Sequence, residues 1–254
     1  YGFLTQSSIP QLFLAGLVPG LLLALGFMLI TALVCIVKPS LGGQRRHFSG
    51  LERLRSLKDL LPILLLFAVI IGTIYYGIAT PTEAAAVGVG GAVLIALSFG
   101  QLNWAVITES VTGTVKVTSM IMLIVIGASF LNFTLASAGL GGKLDAFLSG
   151  LGLSPLSTLL VIVLMYVILG MFIETLSLMV VTIPIVVPLV AQLGFDVVWF
   201  GILMIVLVEM ALITPPVGLN LYVVQSARGE GRIGQVMVGA VPYVFVMFVM
   251  VGLL

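Results

Sequence analysis

Charge is what this chain has least of. Only 7% of its 254 residues are Asp, Glu, Lys or Arg, against roughly 25% in a soluble domain. That scarcity argues against an ordinary water-soluble globule. The formal net charge is +1, so no global field points to nucleic acid as a partner. The single cysteine, Cys35, lies within an apolar segment. It excludes an intrachain disulfide and a cysteine metal cluster, and it reads as a small packing residue. The single histidine, His47, lies in a polar stretch and reads as solvated. With no membrane-embedded histidine, no paired aspartates and no cysteine with a base, an intramembrane enzyme lacks its catalytic pair. A channel would need a repeated pore helix with a polar filter, and the sequence contains none.

Apolar residues are abundant. They make up 61% of the chain, and the mean hydropathy is +1.34. Apolar stretches near the roughly 20 residues that span a bilayer predict an all-α polytopic membrane protein. Six of the ten basic residues, Lys38, Arg45, Arg46, Arg53, Arg55 and Lys58, fall between residues 38 and 59. Basic loops stay cytoplasmic, so the helix expected from Ile9 to Val37 runs from outside to inside. Gly50 to Leu60 reads as a basic amphipathic surface helix. Leu60 to Ala79 then crosses outward, and Ala84 to Phe99 returns. Asn103 to Lys116 reads as a second surface helix, and Val117 to Ala138 crosses outward. A glycine-rich loop with a short helix is expected from Gly139 to Pro155.

Thr214-Pro215-Pro216-Val217-Gly218-Leu219-Asn220 interrupts a long apolar run. Adjacent prolines remove two backbone donors and clash with the preceding turn. The residue before each is pushed out of the helical region, and Gly218 frees the chain to turn. The helix must break where water does not reach, which a bilayer tolerates only against protein or a wet cavity. Such breaks are the usual binding sites of secondary transporters; a proline kink without a ligand is the plainer reading. Upstream, Leu156–Ile173 and Ser177–Leu193 flank Glu174-Thr175-Leu176. Each segment is about 17 residues, short for a full span. Two full spans and one re-entrant hairpin both fit the charge pattern.

An internal repeat is visible. Ala15-Gly16-Leu17-Val18-Pro19 resembles Val238-Gly239-Ala240-Val241-Pro242, and each precedes a long apolar helix. Charge bookkeeping orients the two copies oppositely, the inverted-topology pattern of transporters. Tyr1 and Tyr222 precede the two prolines by similar distances. The repeat therefore implies an equivalent break ahead of Tyr1.

Three carboxylates lie in or beside apolar helices, where ionisable groups are functional candidates. Glu83 follows Thr80-Pro81-Thr82 and fits a helix cap. Glu209 lies five residues before the break, placed either to accept its N–H groups or to contact ion or substrate. Glu174 marks the upstream interruption. No Lys or Arg lies in a predicted membrane core, so an anionic ligand would rely on helix N-termini and on groups such as Thr175, Ser177 and Asn220.

These residues resemble a family. Gly170-Met171-Phe172-Ile173-Glu174-Thr175, Pro184, Pro188, Trp199-Phe200-Gly201 and Thr214 to Asn220 look like the large membrane subunit of tripartite ATP-independent periplasmic (TRAP) transporters. Thr80-Pro81-Thr82-Glu83-Ala84-Ala85-Ala86 and Leu12 to Gly20 are similar to the same family, in the same order. The chain looks like the C-terminal part of that subunit. The resemblance implies an inverted-repeat, elevator-type transporter with a re-entrant hairpin and a discontinuous helix. It divides the chain into residues 1–37, ending a first repeat, 38–138, holding scaffold and arm helices, and 139–254, a second repeat. That last part would hold a hairpin at about 156–193, a broken helix at about 197–227 and a last helix at 233–254.

The function so implied is sodium-coupled import of an organic anion, a carboxylate or sialic-acid-like compound, across the bacterial inner membrane. A periplasmic binding protein would deliver the substrate, and a small four-helix membrane subunit would brace the large one. No cofactor is implied beyond sodium as the coupling ion. Carried over by position, the sodium ligands are mainly backbone oxygens of Gly170, Ala211, Thr214 and Val217. Many relatives carry Gly where Ala211 stands and Asp where Glu174 stands. Glu174, Thr175, Ser177, Gly218 and Asn220 fall at the hairpin tip or substrate site. The nearest rival is another elevator-type dicarboxylate symporter, whose Ser-Asn-Thr tip is absent here.

Overall fold

The structure, a computed structural model, describes residues 1–42, 50–139, 142 and 152–254. Arg45, Arg46 and His47 lie outside them, as does most of the loop expected between Gly139 and Pro155. Regular structure among the described residues is all helical. The order is α1 (Gly2–Thr5), α2 (Ile9–Val37), a 3-10 turn at Pro39–Gly42, α3 (Gly50–Tyr75), α4 (Pro81–Ser98) and α5 (Trp104–Ser137). There follow α6 (Pro155–Gly170), α7 (Thr175–Gln192), α8 (Val197–Leu212), α9 (Leu219–Arg228) and α10 (Ile233–Leu253). Five stretches are long and apolar enough to cross a membrane: Ile9–Val37, Pro81–Ser98, Trp104–Leu131, Thr175–Gln192 and Ile233–Leu253. The chain is a multi-pass membrane protein.

Two expectations are corrected. The surface helix at Gly50–Leu60 and the span after it form one continuous helix, α3. The surface helix at Asn103–Lys116 and the span from Val117 likewise form one helix, α5. The physical reason is the same in both. Polarity changes along the sequence at Leu60 and at Val117, but a change of side-chain polarity does not end the backbone ladder, and the lone Pro62 just past Leu60 is carried inside α3. A change of polarity moves a helix from one solvent to another without breaking it.

Single prolines do not end helices in this chain. Pro19, Pro62, Pro184, Pro188 and Pro242 all lie inside helices. Each removes one donor, a loss the neighbouring turns absorb. Only the adjacent pair Pro215-Pro216 stops the helix, between α8 and α9.

The chain divides into two compact units, Tyr1–Val37 with Leu123–Leu254, and Lys38–Met122. In the second unit α3 and α4 pack antiparallel. A Cβ at Gly88 would lie 2.8 Å from Ile70, and one at Gly91 would strike Leu66. Ala84, Gly88 and Gly91 thus give α4 a small-residue face that lets backbones approach, the usual device where water supplies no driving force. A capping box starts α4. The Thr80 N–H donates to Glu83 Oε2 at 2.7 Å, and the Glu83 N–H donates back to Thr80 Oγ1 at 3.4 Å. Glu83 is therefore a structural cap.

In the first unit α8 is the central helix, with 11 of its 16 residues buried. A helix apolar all round belongs inside a bundle. Around it, α6 and α7 form an antiparallel pair. Tyr166 meets the Thr182 hydroxyl at 2.7 Å, and Thr182 passes its own proton to the Leu178 carbonyl at 2.7 Å. Both groups are buried, so this chain satisfies polar atoms that would otherwise be costly. Helices α2 and α10 also pack antiparallel. Thr31 meets Tyr243 at 2.9 Å, Phe27 sets its ring edge-on to Tyr243, and Gly26 lies against Val246. At the start of α8 the Tyr1 hydroxyl donates to the Val197 carbonyl at 2.6 Å.

The C-terminal ends of α6 and α8 come together. A Cβ added to Gly170 would lie 2.6 Å from the Ala211 Cβ, closer than packed carbons tolerate. Gly170→Ala is expected to destabilise the membrane-extracted protein by about 1–3 kcal/mol through overpacking. Adding Ala211→Gly restores one Cβ in the same space and is expected to recover most of that loss. Thermal unfolding of the two single variants and the double variant measures this. Simple additivity of the two changes would mean the residues do not share this contact.

Candidate functional site

The end of α8 is built by hydrogen bonds that stop abruptly. The Ile213 N–H donates to the Met210 carbonyl at 3.2 Å, and the Thr214 N–H to the Ala211 carbonyl at 3.1 Å. The next two residues are prolines joined by a cis peptide bond, and neither has an N–H to offer. Gly218 follows at φ 51° and ψ 82°, a left-handed geometry that side chains resist. Space also requires glycine there. A Cβ would lie 3.0 Å from the Thr214 carbonyl oxygen and 3.1 Å from that of Leu212. Two carbonyl oxygens therefore converge beside the Gly218 Cα, and among the described residues neither accepts a hydrogen bond. The last carbonyls of any helix lack intrahelical donors; here both residues are buried and the prolines remove the donors that would follow.

Thr214 is buried, and its hydroxyl donates to the Met210 carbonyl at 2.6 Å. Its one proton is committed inward, which leaves its oxygen lone pairs as acceptors. On the far side of the break, Gly218 caps α9 without a side-chain hydrogen bond. The first N–H to bond is that of Leu221, to the Gly218 carbonyl at 2.8 Å. The N–H groups of Leu219 and Asn220 are left open among the described residues. The break thus presents oxygens from one helix end and N–H groups from another: the first arrangement suits a hard cation, the second an anion.

The turn between α6 and α7 is differently provided for. Glu174 caps α7, accepting from the Leu176 N–H at 2.9 Å and the Ser177 N–H at 3.0 Å. The Ser177 hydroxyl also donates to it, at 3.2 Å. Its carboxylate therefore already occupies the N-terminus that sequence reading offered to an anion. Thr175 Oγ1 is buried and has no partner.

The structure joins some of the expected residues and separates others. Gly170 and Ala211 touch, and Ala211 and Thr214 share a hydrogen bond. Val217 lies in the broken segment, half-buried. Glu174 and Ser177 bond to each other, while Gly218 and Asn220 stand at the open end of α9. Glu83 belongs to the other unit and only caps α4. Of the two roles expected for Glu209, bracing the broken segment finds no hydrogen bond to support it among the described residues. The Glu209 side chain is exposed on α8. The N–H groups nearest to the helix end, those of Ile213 and Thr214, are taken by the carbonyls of Met210 and Ala211, and the next two residues are prolines. Sequence reading missed Leu212, whose carbonyl is one of the two that converge. The signal was present, since the donor four residues on would have been Pro216.

The chain was compared with known proteins. The family model described as "Tripartite ATP-independent periplasmic transporter, DctM component" matches residues 1–254. A C4-dicarboxylate TRAP transporter large permease protein of Pseudomonas aeruginosa is 35% identical over 250 residues, which is 98% of this chain and 58% of the relative. A sialic acid TRAP transporter large permease protein of Vibrio cholerae is 33% identical over 264 residues, 100% of this chain and 59% of the relative. An isethionate TRAP transporter permease protein of Oleidesulfovibrio alaskensis is 31% identical over 264 residues, 97% of this chain and 39% of the relative. The chain spans under three fifths of the length of these relatives. A match over its full length, to a family whose helix-breaking motifs it carries, makes this chain a member of the DctM family of tripartite ATP-independent periplasmic transporter permeases.

Proposed function

We propose that this chain forms the sodium- and substrate-handling part of a large permease subunit that imports an organic anion. The observation that carries the reading is the pair of unbonded carbonyls, Leu212 and Thr214, converging beside Gly218. Sodium is a hard cation that prefers oxygen ligands, and these oxygens have no other partner among the described residues. The Thr214 hydroxyl adds a third oxygen, and Gly170, Ala211 and Val217 complete the candidate set. The anion sits at the open N–H groups of Leu219 and Asn220, with the unpartnered Thr175 hydroxyl as a further donor. Glu174 and Ser177 then serve as the cap of α7 rather than as ligands.

The relatives' names support the substrate class. C4-dicarboxylates, sialic acid and isethionate are all small organic anions. The partners follow from family membership: a small four-helix membrane subunit and a periplasmic binding protein, working together in the bacterial inner membrane. Architecture is read the same way. The antiparallel packing of α2 and α10 supports an inverted repeat. Helix α6, at 16 residues, reaches about 24 Å at 1.5 Å per residue, short of a bilayer core of about 30 Å, and α7, at 18 residues, is at the short limit. That favours a re-entrant α6–α7 hairpin over two spans. An elevator motion needs a moving body and a fixed one, and the chain has two compact units.

Thr214→Val nearly keeps the volume and removes one oxygen. In proteoliposomes holding the complete transport system, the sodium concentration for half-maximal uptake is expected to rise about tenfold, or about 1.4 kcal/mol. Candidate substrates are a C4-dicarboxylate, sialic acid and isethionate. An unchanged sodium series, with normal expression, would leave Thr214 a purely structural residue.

Orientation is tested separately. With Cys35 first replaced, a cysteine at Ser40 should be shielded from an impermeant thiol reagent in right-side-out vesicles, and one at Leu153 should be labelled. The reverse pattern would invert the whole topology.

A further inference from the structure

Glu209 is left without a task by the site as described. It lies in the last turn of α8, which ends at Leu212. That is the negative end of the helix dipole, where a carboxylate is unfavourable and a basic side chain is the usual choice. Instead the last turn holds no basic residue, and the next residues add the unbonded carbonyls of Leu212 and Thr214. One helical turn, about 5.4 Å along the axis, separates Glu209 from this group.

Nothing on the surrounding helices offsets the charge. There is no Lys, Arg or His from Pro155 to Ala227, from Ile9 to Val37, or from Ile233 to Leu253. These ranges cover α2, α6, α7, α8 and α10 and all of α9 except its last residue, Arg228. On α8 itself, Glu209 and Ile205 are exposed within a helix that is otherwise buried from Phe200 to Leu212. Glu174, the other acid beside these helices, already accepts three hydrogen bonds as the cap of α7. A carboxylate, a dipole's negative end and two free carbonyls therefore add with the same sign. A structural brace would be bonded to the segment it holds, and Glu209 is exposed and makes no hydrogen bond among the described residues.

We infer that Glu209 supplies the fixed negative charge that holds a small monovalent cation at the carbonyls of Leu212 and Thr214, acting through its field rather than as a strut of the break. The inference rests on the proposed cation site and assigns what sets its affinity. Neutral carbonyls give a cation its geometry, and a formal charge one turn away gives it most of its depth. Glu209 is a positioning residue in this account, and it need not touch the ion.

The test uses sodium itself as the probe, so no substrate need be known. Thermal unfolding of the full membrane-extracted protein is followed across a series of NaCl balanced with choline chloride at constant ionic strength. Wild type should be stabilised by sodium. Glu209→Gln should raise the sodium concentration for half-maximal stabilisation at least about tenfold, the size expected for losing one charge at this range in a medium of intermediate dielectric. Its melting temperature without sodium should stay within about 2 °C of wild type, as for an exposed position with no hydrogen bond. Glu209→Asp, which keeps the charge, should move the midpoint less than about threefold. An unchanged midpoint in Glu209→Gln overturns the inference and leaves the cation site standing. Equal shifts in Gln and Asp overturn it as well, because charge would then not be the cause. A lower sodium-free melting temperature with an unchanged midpoint would make Glu209 a structural group. If sodium fails to stabilise wild type, the cation site itself falls, and that outcome is distinct from the others.

Discussion

Every backbone N–H and C=O removed from water must find a partner, and this chain's central helix is arranged around a place where that rule is broken. Helix α8 satisfies its backbone up to Met210 and Ala211. The two prolines that follow cannot donate, so the carbonyls of Leu212 and Thr214 are left without a donor among the described residues. Such a defect persists in a folded protein when something else makes use of it. The cation proposed for this site has the matching chemistry, because it asks for several oxygens and no hydrogens.

The packing around α8 serves that break. Gly170 lets the end of α6 come against Ala211, two residues before the segment unwinds, so the turn at Met171–Glu174 and the break at Ile213–Gly218 are built side by side. The hydrogen-bonded chain from Tyr166 through Thr182 to Leu178 ties α6 to α7 without leaving a polar atom unpaired. Tyr1 reaches the first carbonyl of α8 at the other end. The helix is thus held along its length by close contacts, while its last turn is left electrostatically unbalanced. Glu174 and Glu209 illustrate how context decides a carboxylate's role. One is saturated by three hydrogen bonds at a helix N-terminus, where the dipole welcomes it; the other stands unbonded at a C-terminus, where the dipole opposes it.

Much of this was legible in the residues. The scarcity of charge and the long apolar runs announce a multi-pass helical protein. Thr80-Pro81-Thr82-Glu83 reads as a capped helix start and is one. Pro215-Pro216 with Gly218 reads as a break and is one, while five isolated prolines sit within intact helices. Two features are not legible. A change in side-chain polarity at Leu60 and at Val117 looks like the end of a surface helix, yet the backbone runs on through both. Proximity in sequence makes Glu209 a candidate either to brace the break or to contact an ion or substrate, and the structure leaves it exposed and without a hydrogen bond among the described residues.

The sequence by itself determined where the backbone would fail, because a missing N–H and a tolerated left-handed residue are properties of single positions. It also determined the membrane class, since composition acts on the chain as a whole. Which carbonyls converge was decided only by tertiary structure. The Gly218 dihedral angles turn Leu212 and Thr214 toward one point, and the Gly170–Ala211 contact, between residues 41 apart in the chain, sets the hairpin turn beside it. Tertiary structure likewise decided that Glu174 would be consumed as a cap and that Glu209 would remain free. Hydrogen-bond partners are chosen by distance and direction in space, and no local pattern of residues encodes either.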